Sequence, residues 1–595
     1  TTGTRPFEGD TPEQTVEAIL TGKPVPPRQR NHAIPAKLER IIVKALEKDR
    51  TARYQIAAEL RAELQRLQPA TPRVARWPLG ATGDQWVFET MRRFPGVLLL
   101  TLVVLVIGTR AGWWSAPTPA IAPETRQAFE IPVRRVAVLP LRSLSGGPDQ
   151  ELLAEGIGDA IAADLARLQG LRVIAGSSAG EYRKTSKGAS QIARELRVDL
   201  LIAGSAIVTG PRLEVRLHLT RAGSDAPFWS ERFDADFRAT GAIRNEVARA
   251  VAREVRLRLS PGDEARLVKE GTASREAFEN YLRARHFWTK RTDQDIQRAV
   301  GFFKTAIDAD PAYAPAYAGL ADCYNQFATV QVGRPPGENR GLAIAFAKKA
   351  IEIDGENAEA HAALGFAKLY NWEWAGAELE LRRALDLNPS YASAHVWRAS
   401  SLLIRRRFDE AFAEVDRAGE LDPLSPITQT QVGWIRALAG RSEKAIAQYR
   451  KVLANHPDYP WALWLLGAAL SETGRAREAI EILRKASVVT KNNPAHLGSL
   501  GMAYGIAGRH AEAREILALL RRLSKERYVT PHAPAHVCLG LGDLGCFFEA
   551  LEEGYRQRIN YMAYLSVVPS PANYGAVRAD PRFQDLLRRL GYDRE

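Results

Sequence analysis

Cysteine is nearly absent. Three occur in 595 residues, Cys323, Cys538 and Cys546, and no two form a CxxC pair. That excludes a zinc ribbon or a dithiol redox motif of the usual spacing. Cys538 and Cys546 suit a disulfide in an oxidising compartment, but the preferred reading is small buried thiols. Histidine is also scarce, with ten residues. His361, His395 and His496 are scattered at positions that suit packing or solvent exposure rather than metal ligation. Paired carboxylates and a nucleophile with its base are missing too. Ser177 and Ser178 follow a strand-like run without a histidine nearby. Gly156-x-Gly158 and Gly204-Ser205 are too sparse for a phosphate loop, which needs GxxxxGK[ST] or GxGxxG in its strand–turn–helix setting; they read as turn or packing glycines. No catalytic, cofactor-binding or metal residue is therefore assigned.

Acidic residues are in deficit: 69 against 82 Lys and Arg, a formal net charge of +13. A basic balance suits nucleic acid or an anionic membrane surface. Here arginine is spread along helical segments, which reads as a solvated surface, and no nucleic-acid partner is expected. The run Arg405-Arg406-Arg407 falls at a turn between helices and reads as exposed and unspecific.

What is present is a period. Ala343, Ala377, Ala411, Ala445, Ala479 and Ala513 stand 34 residues apart, and Gly365, Ala399, Gly433, Gly467 and Gly501 follow at the same step. Small residues in two parallel rows mark paired helices that approach closely. Gly440-Arg441, Gly474-Arg475 and Gly508-Arg509 mark the turns between them, and Pro389, Pro423 and Pro457 end one unit and start the next. These features resemble tetratricopeptide repeats, which implies two-helix units stacked into a superhelix with a concave binding face. Earlier copies fit with insertions: Ala299, Phe303, Ala306 and Pro311 form one second helix and its stop, and Ala321 begins the next small-residue site. Seven repeats are expected over about 274–527, with a degenerate unit at about 533–560. The closing VRADPRFQDLLRRLGYDRE resembles a polar solenoid cap. Trp372, Trp374, Trp397, Trp434, Trp461 and Trp464 are expected mostly between helices, with some lining the concave groove.

The amino end has another character. Thr11 with Pro12 starts a helix to about Leu20. Pro24, Pro26 and Pro27 predict extended chain. Leu38, Ile41, Ile42, Ala45 and Leu46 recur at helical spacing, and a third helix runs from about Ile56 to Leu67. The stretches TGTRPFEGDT and PAKLERIIVKALEKDRTARYQIAAEL resemble the end of the C-terminal lobe of bacterial serine/threonine protein kinases. The resemblance implies that Arg53 is the family's buried arginine. The Gly-rich loop, strand lysine, HRD loop and DFG aspartate are missing from this sequence, so it is not an enzyme as given, and ATP and magnesium are expected only for a missing kinase part. The chain opens Thr1-Thr2-Gly3 and reads as starting inside a longer polypeptide.

A proline-marked linker (71–93) leads to an apolar stretch from Phe94 to Trp114, long enough to span a bilayer. Arg92 and Arg93 precede it and only Arg110 follows closely, which places the amino end in the cytoplasm and everything after about residue 115 outside the cell membrane. A Pro/Ala-rich tether (115–130) follows. Residues 131–262 read as a small α/β domain: strands at Val136–Pro140, Leu171–Ala175 and Phe228–Phe233, a hairpin of Asp199–Val208 with Leu213–Thr220, and helices at Leu152–Leu168, Ile192–Leu196 and Ile243–Leu259. RVAVLPLRSLSGGPDQELLAEGIGDAIAADLARLQGLRVIAGSS resembles a TolB-like domain, of a type found in bacteria between a kinase, cyclase or DNA-binding head and a tetratricopeptide tail. That implies interaction or assembly.

The expected protein is multidomain. A kinase C-lobe end (1–70), linker, transmembrane helix (94–114), tether and α/β domain precede an all-α superhelix (270–560) and a cap (561–595). Its expected role is the sensor and scaffold portion of a membrane-anchored kinase, binding a protein or peptide on the repeats. A non-catalytic assembly protein with a vestigial kinase segment is the alternative, and oligomerisation stays open.

Overall fold

The computed structural model describes residues 26–32, 34–45, 135–144, 146–267, 272–329, 334–567 and 574–592, with isolated positions 14, 47 and 63. The expected apolar span 94–114, its linker and tether, Arg53, and all but single positions of the helices at 11–20 and 56–67 lie outside the described residues. Among the described residues no helix is long and apolar enough to cross a membrane. The chain divides into two units, Thr1–Arg126 and Gln127–Glu595.

In the first unit, α1 (Pro27–Arg30) and α2 (Ala36–Ala45) are described. The extended chain expected over Pro24, Pro26 and Pro27 is corrected at Pro27, which opens α1. Proline suits a first helical position, where its missing N–H has no partner to lose. Helix α2 buries Ile41, and the Arg28 backbone N–H donates to Glu39 at 2.9 Å.

The second unit opens with a six-stranded mixed sheet. Its elements are β1 (Arg135–Val138), β2 (Arg142–Ser143), α3 (Pro148–Ala166), β3 (Arg172–Val173), α4 (Gly176–Ala179), α5 (Ala189–Leu196), β4 (Leu200–Thr209), β5 (Arg212–Arg221), β6 (Trp229–Asp236), α6 (Thr240–Glu254) and α7 (Pro261–Leu267). The strand order is β3-β1-β4-β5-β6, with β2 paired to β4. Strand β1 runs parallel to β3 and β4, while β4, β5 and β6 are antiparallel. Strand β5 alternates as predicted, burying Leu213, Val215, Leu217 and Leu219. The short strand β2 had no sequence signal, and α6 stops at Glu254, short of the expected Leu259. Asp164 on α3 accepts two hydrogen bonds from Arg244 on α6, at 2.7 and 2.9 Å, pinning the helices that cover the sheet.

Seven helix pairs follow: α8 (Arg275–Trp288) with α9 (Asp293–Ala309), α10 (Ala314–Phe327) with α11 (Pro336–Ile353), α12 (Ala358–Tyr370) with α13 (Trp374–Leu387), α14 (Ala392–Ile404) with α15 (Phe408–Leu421), α16 (Pro426–Leu438) with α17 (Ser442–Asn455), α18 (Pro460–Glu472) with α19 (Ala476–Val489), and α20 (Pro494–Ile506) with α21 (His510–Leu523). A shorter pair, α22 (His532–Leu541) and α23 (Leu544–Arg556), precedes a 3-10 turn at Asn560–Tyr564 and the terminal helices α24 (Tyr574–Ala579) and α25 (Pro581–Leu590). Every alanine of the first row is fully buried. A Cβ on Gly365 would stand 2.7 Å from Leu381 Cγ, and on Gly467 2.4 Å from Leu483 Cγ. Gly501 departs from this pattern: its nearest neighbour is Val537 of α22, so here the small residue admits the next unit.

A further row emerges at the turns. Trp372, Arg406, Gly440, Gly474, Gly508 and Gly542 are spaced 34 apart, and all have positive φ. Two of the six carry side chains in a conformation that costs L-residues roughly 1–2 kcal/mol. Replacing Arg406 by glycine should therefore raise stability by about 1 kcal/mol, whereas Gly467→Ala, which drives a methyl into Leu483, should lower it by about 1–3 kcal/mol. Urea denaturation of both variants checks the opposite signs.

Candidate binding cavity on the concave face

The first helices of the pairs line the inside of the superhelix. Their sequences read apolar nearly all round, as helices covered on several sides do. They enclose a cavity of about 240 Å³. Its wall is aromatic: Trp397 on α14, Trp434 on α16, and Trp461 and Trp464 on α18, with Tyr449 reaching through from α17. These four tryptophans are thus the ones that line the groove. Trp372 and Trp374 serve elsewhere, stacking on Tyr555 and Tyr592 at 5.0 and 5.3 Å.

The chain's own tail closes one side. Tyr561 stacks on His532 at 5.6 Å, and Tyr564 meets Trp434 edge-on at 4.7 Å. The Tyr564 hydroxyl lies 2.7 Å from that of Tyr370 on α12. Arg340 on α11 holds the approach to this turn, donating to the Arg558 carbonyl and the Asn560 side chain. The sequence implies only a capping role for the tail, because the Tyr370 and Arg340 contacts join residues about 190 to 220 apart and leave no periodic signal.

Polar groups in the wall are few. Trp464 donates to Ser499 at 2.7 Å. Burial holds His496 and His536 down at about 4, and His532 well below its ordinary value, so all three imidazoles are neutral near pH 7. His532 Nε2 and the Tyr449 hydroxyl are buried without a hydrogen-bond partner. Glu472, the last residue of α18, is the one carboxylate in the lining, and burial pushes it up to about 8. Arg291 lines another part of the wall, with its guanidinium stacked on Trp288 at 3.7 Å.

Two further histidines pair with carboxylates. His361 Nδ1 lies 2.7 Å from Glu380, and His395 Nδ1 lies 2.5 Å from Glu414, one repeat on. Gln429 and Gln448 repeat the contact once more at 2.7 Å. A polar ladder thus joins the helices of three successive pairs, legible afterwards as a constant 19-residue offset. Among the described residues no group of His, Cys, Asp and Glu has metal-site geometry. The reading of Cys538 and Cys546 as separate thiols is corrected: they are joined in a disulfide that staples α22 to α23, where the turn of the shortened unit brings their Cα atoms to 5.8 Å. Cys323 is buried and free. Of the arginine run, Arg406 is exposed, while Arg405 and Arg407 are half-buried and Arg407 pairs with Glu410.

Ser177 and Ser178 are both held by one carboxylate. Both hydroxyls donate to Asp422, at 2.7 and 2.5 Å, and Thr428 donates to its other oxygen at 2.6 Å. Ser390 accepts from the Val173 backbone at 3.1 Å. These contacts tie the sheet to the ends of α13 and α15. Gly156 and Gly158 are packing positions within α3, as read, with a Cβ on Gly156 meeting Leu282 of α8 at 2.4 Å.

Two family models described as tetratricopeptide repeat match residues 362–426 and 437–503. The chain carries tetratricopeptide repeats. It is 29% identical over 237 residues to the protein named Putative adenylate cyclase 3 of Rhizobium meliloti (strain 1021), covering 39% of this chain and 40% of that one. It is 41% identical over 71 residues to the serine/threonine-protein kinase PknB of Mycobacterium leprae (strain TN), covering 12% of this chain and 11% of the kinase. It thus spans well under half of the curated relatives it matches. Among solved structures, the tetratricopeptide protein YrrB, described as having an unusual peptide-binding site, is 21% identical with a TM-score of 0.23, covering 33% of this chain and 95% of that one.

The buried histidines set a pH response. Their folded-state pKa lies below the unfolded value, so the unfolded chain binds more protons and stability falls as pH drops below about 6.5. Glu472, pushed up to about 8, and Asp322, pushed up to about 7, act in the opposite sense, stabilising as pH falls. Melting each protein at pH 7 and pH 5.5 isolates one term: His536→Gln should lose roughly 1 kcal/mol less between the two than the parent protein.

Proposed function

We propose that this chain is the sensor and scaffold portion of a membrane-anchored serine/threonine protein kinase, and that a protein or peptide partner binds on the concave face of its repeats. The observation that carries the binding role is the aromatic cavity on the inner helices, a concave and largely apolar site with few polar groups. The kinase link is supported by the 71-residue similarity to PknB and by the TGTRPFEGDT and PAKLERIIVKALEKDRTARYQIAAEL stretches. The similarity to a protein named as an adenylate cyclase fits a partner-binding region that serves more than one kind of catalytic head. The TolB-like reading of 131–262 belongs with this, as an assembly module between anchor and repeats.

Phe94–Trp114 supplies the anchor in this reading, with the amino end cytoplasmic and residues after about 115 outside. The Cys538–Cys546 disulfide suits that side, since disulfides persist in oxidising compartments and are rare in the cytosol. In this reading ATP and magnesium belong to kinase parts that this sequence does not contain. Partner binding outside would bring kinase lobes together inside.

The test uses the parent polypeptide in native membranes. Deleting residues 131–595 should change kinase autophosphorylation or its response to the cell's surroundings. Activity and regulation that ignore the deletion contradict the reading. An upstream frame without HRD and DFG motifs favours the plain assembly protein instead.

A further inference from the structure

Opposite charges face one another at one end of the cavity without closing into pairs. Arg285 near the end of α8 and Arg291 in the turn after it both lie over Trp288, their guanidinium carbons 4.9 and 3.7 Å from the ring centre. Asp322 on the next inner helix, α10, is 2% exposed and feels both guanidiniums. Glu359, at the start of α12, acts on Arg285 and on Asp322. Two cations and two carboxylates thus share one region. Among the described residues none of the four has a hydrogen bond or an ion pair, and the Arg291 Nε is buried without a partner. Buried charges left unpaired are costly, and a polar group that joins them relieves the cost.

The repeat register fixes which way Asp322 faces. Ala321 stands at the small-residue site, as Gly365 does, so Asp322 corresponds to Phe366 and Gln326 to Tyr370. Gln326, Phe366 and Tyr370 line the cavity, as does Arg291. Phe366 meets Tyr370 and Trp397 with ring centres 4.7 and 4.9 Å apart. The Asn325 side chain donates to the Ala363 carbonyl at 3.0 Å and holds α10 against α12. Successive inner helices therefore offer guanidiniums, then a carboxylate beside an amide, then an aromatic wall. A zwitterion joins such charges without adding net charge to a region whose own four cancel. We propose that this end of the cavity receives a free α-amino acid with an aromatic side chain, its carboxylate on Arg285 and Arg291, its ammonium on Asp322 and its ring on Phe366 and Trp397. The site rests on the reading of the concave face as a binding face and is independent of the kinase link.

The test titrates the full chain by calorimetry at pH 8, where Asp322, pushed up to about 7 by burial, is ionised. The probes are L-phenylalanine, 3-phenylpropionate, which lacks the ammonium, 2-phenylethylamine, which lacks the carboxylate, and a phenylalanine tripeptide blocked at both ends. Phenylalanine should bind at least about tenfold tighter than either singly charged form. Asp322→Asn should shrink its preference over 3-phenylpropionate and keep that over 2-phenylethylamine, and Arg291→Gln should do the reverse. Equal binding of the three forms, no binding of phenylalanine, or preferences unchanged in both variants overturns the proposal, and the first two outcomes need no variant to fold. Binding of the blocked tripeptide without phenylalanine assigns the groove to a peptide, which refutes this site and leaves the broader function standing.

Discussion

The structure depends on close approach between paired helices. Fully buried alanines at a 34-residue step, facing glycines or Ala399, let the backbones come close enough for Leu381, Tyr449 and Leu483 to lie across the small positions. The packing at each crossing is repeated with little variation, so the angle between successive pairs is repeated too, and the repeat becomes a curve. The curvature turns the inner helices toward one another and sets tryptophans from different repeats around one cavity. Closure by the tail follows, because only a curved array brings Tyr370 within reach of Tyr564.

The curve is also braced from outside. Asp422 gathers hydroxyls from α4, just after β3, and from its own repeat, and Ser390 receives a backbone N–H from β3. Burial raises the Asp422 carboxyl pKa, and only its ring of donors makes it tolerable there. Its place in the repeat, just past the second helix, is held by Asp354, Asn388 and His456 in neighbouring units. Asp422 differs in having the sheet beside it. Sheet and superhelix thereby share one body, with the continuous core running from β1 through α3 to α10.

Local and periodic features were legible in the sequence. The helix pairs, their turns, the hairpin of β4 and β5, and the burial of the alanines all follow from spacing and alternation. Contacts joining distant residues were not. Nothing near Ser177 points to Asp422, and nothing near Trp372 points to Tyr555. The left-handed turn row was half visible: Gly440, Gly474 and Gly508 announced it, while Trp372 and Arg406 occupy the same conformation without glycine's signature. The disulfide was not legible, since Cys538 and Cys546 suit both a bridge in an oxidising compartment and two small buried thiols. The membrane-spanning reading rests on residues the structure does not describe.

The aromatic cavity depends on the curvature that brings tryptophans of different repeats together. Small-angle scattering of the full chain compared with a variant carrying leucine at Ala411, Ala445 and Ala479 tests that dependence most directly. Bulky side chains at these crossings should open the curve, giving a larger radius of gyration and loss of the tail closure while helical content persists. A scattering profile that superimposes on the parent's would contradict the account.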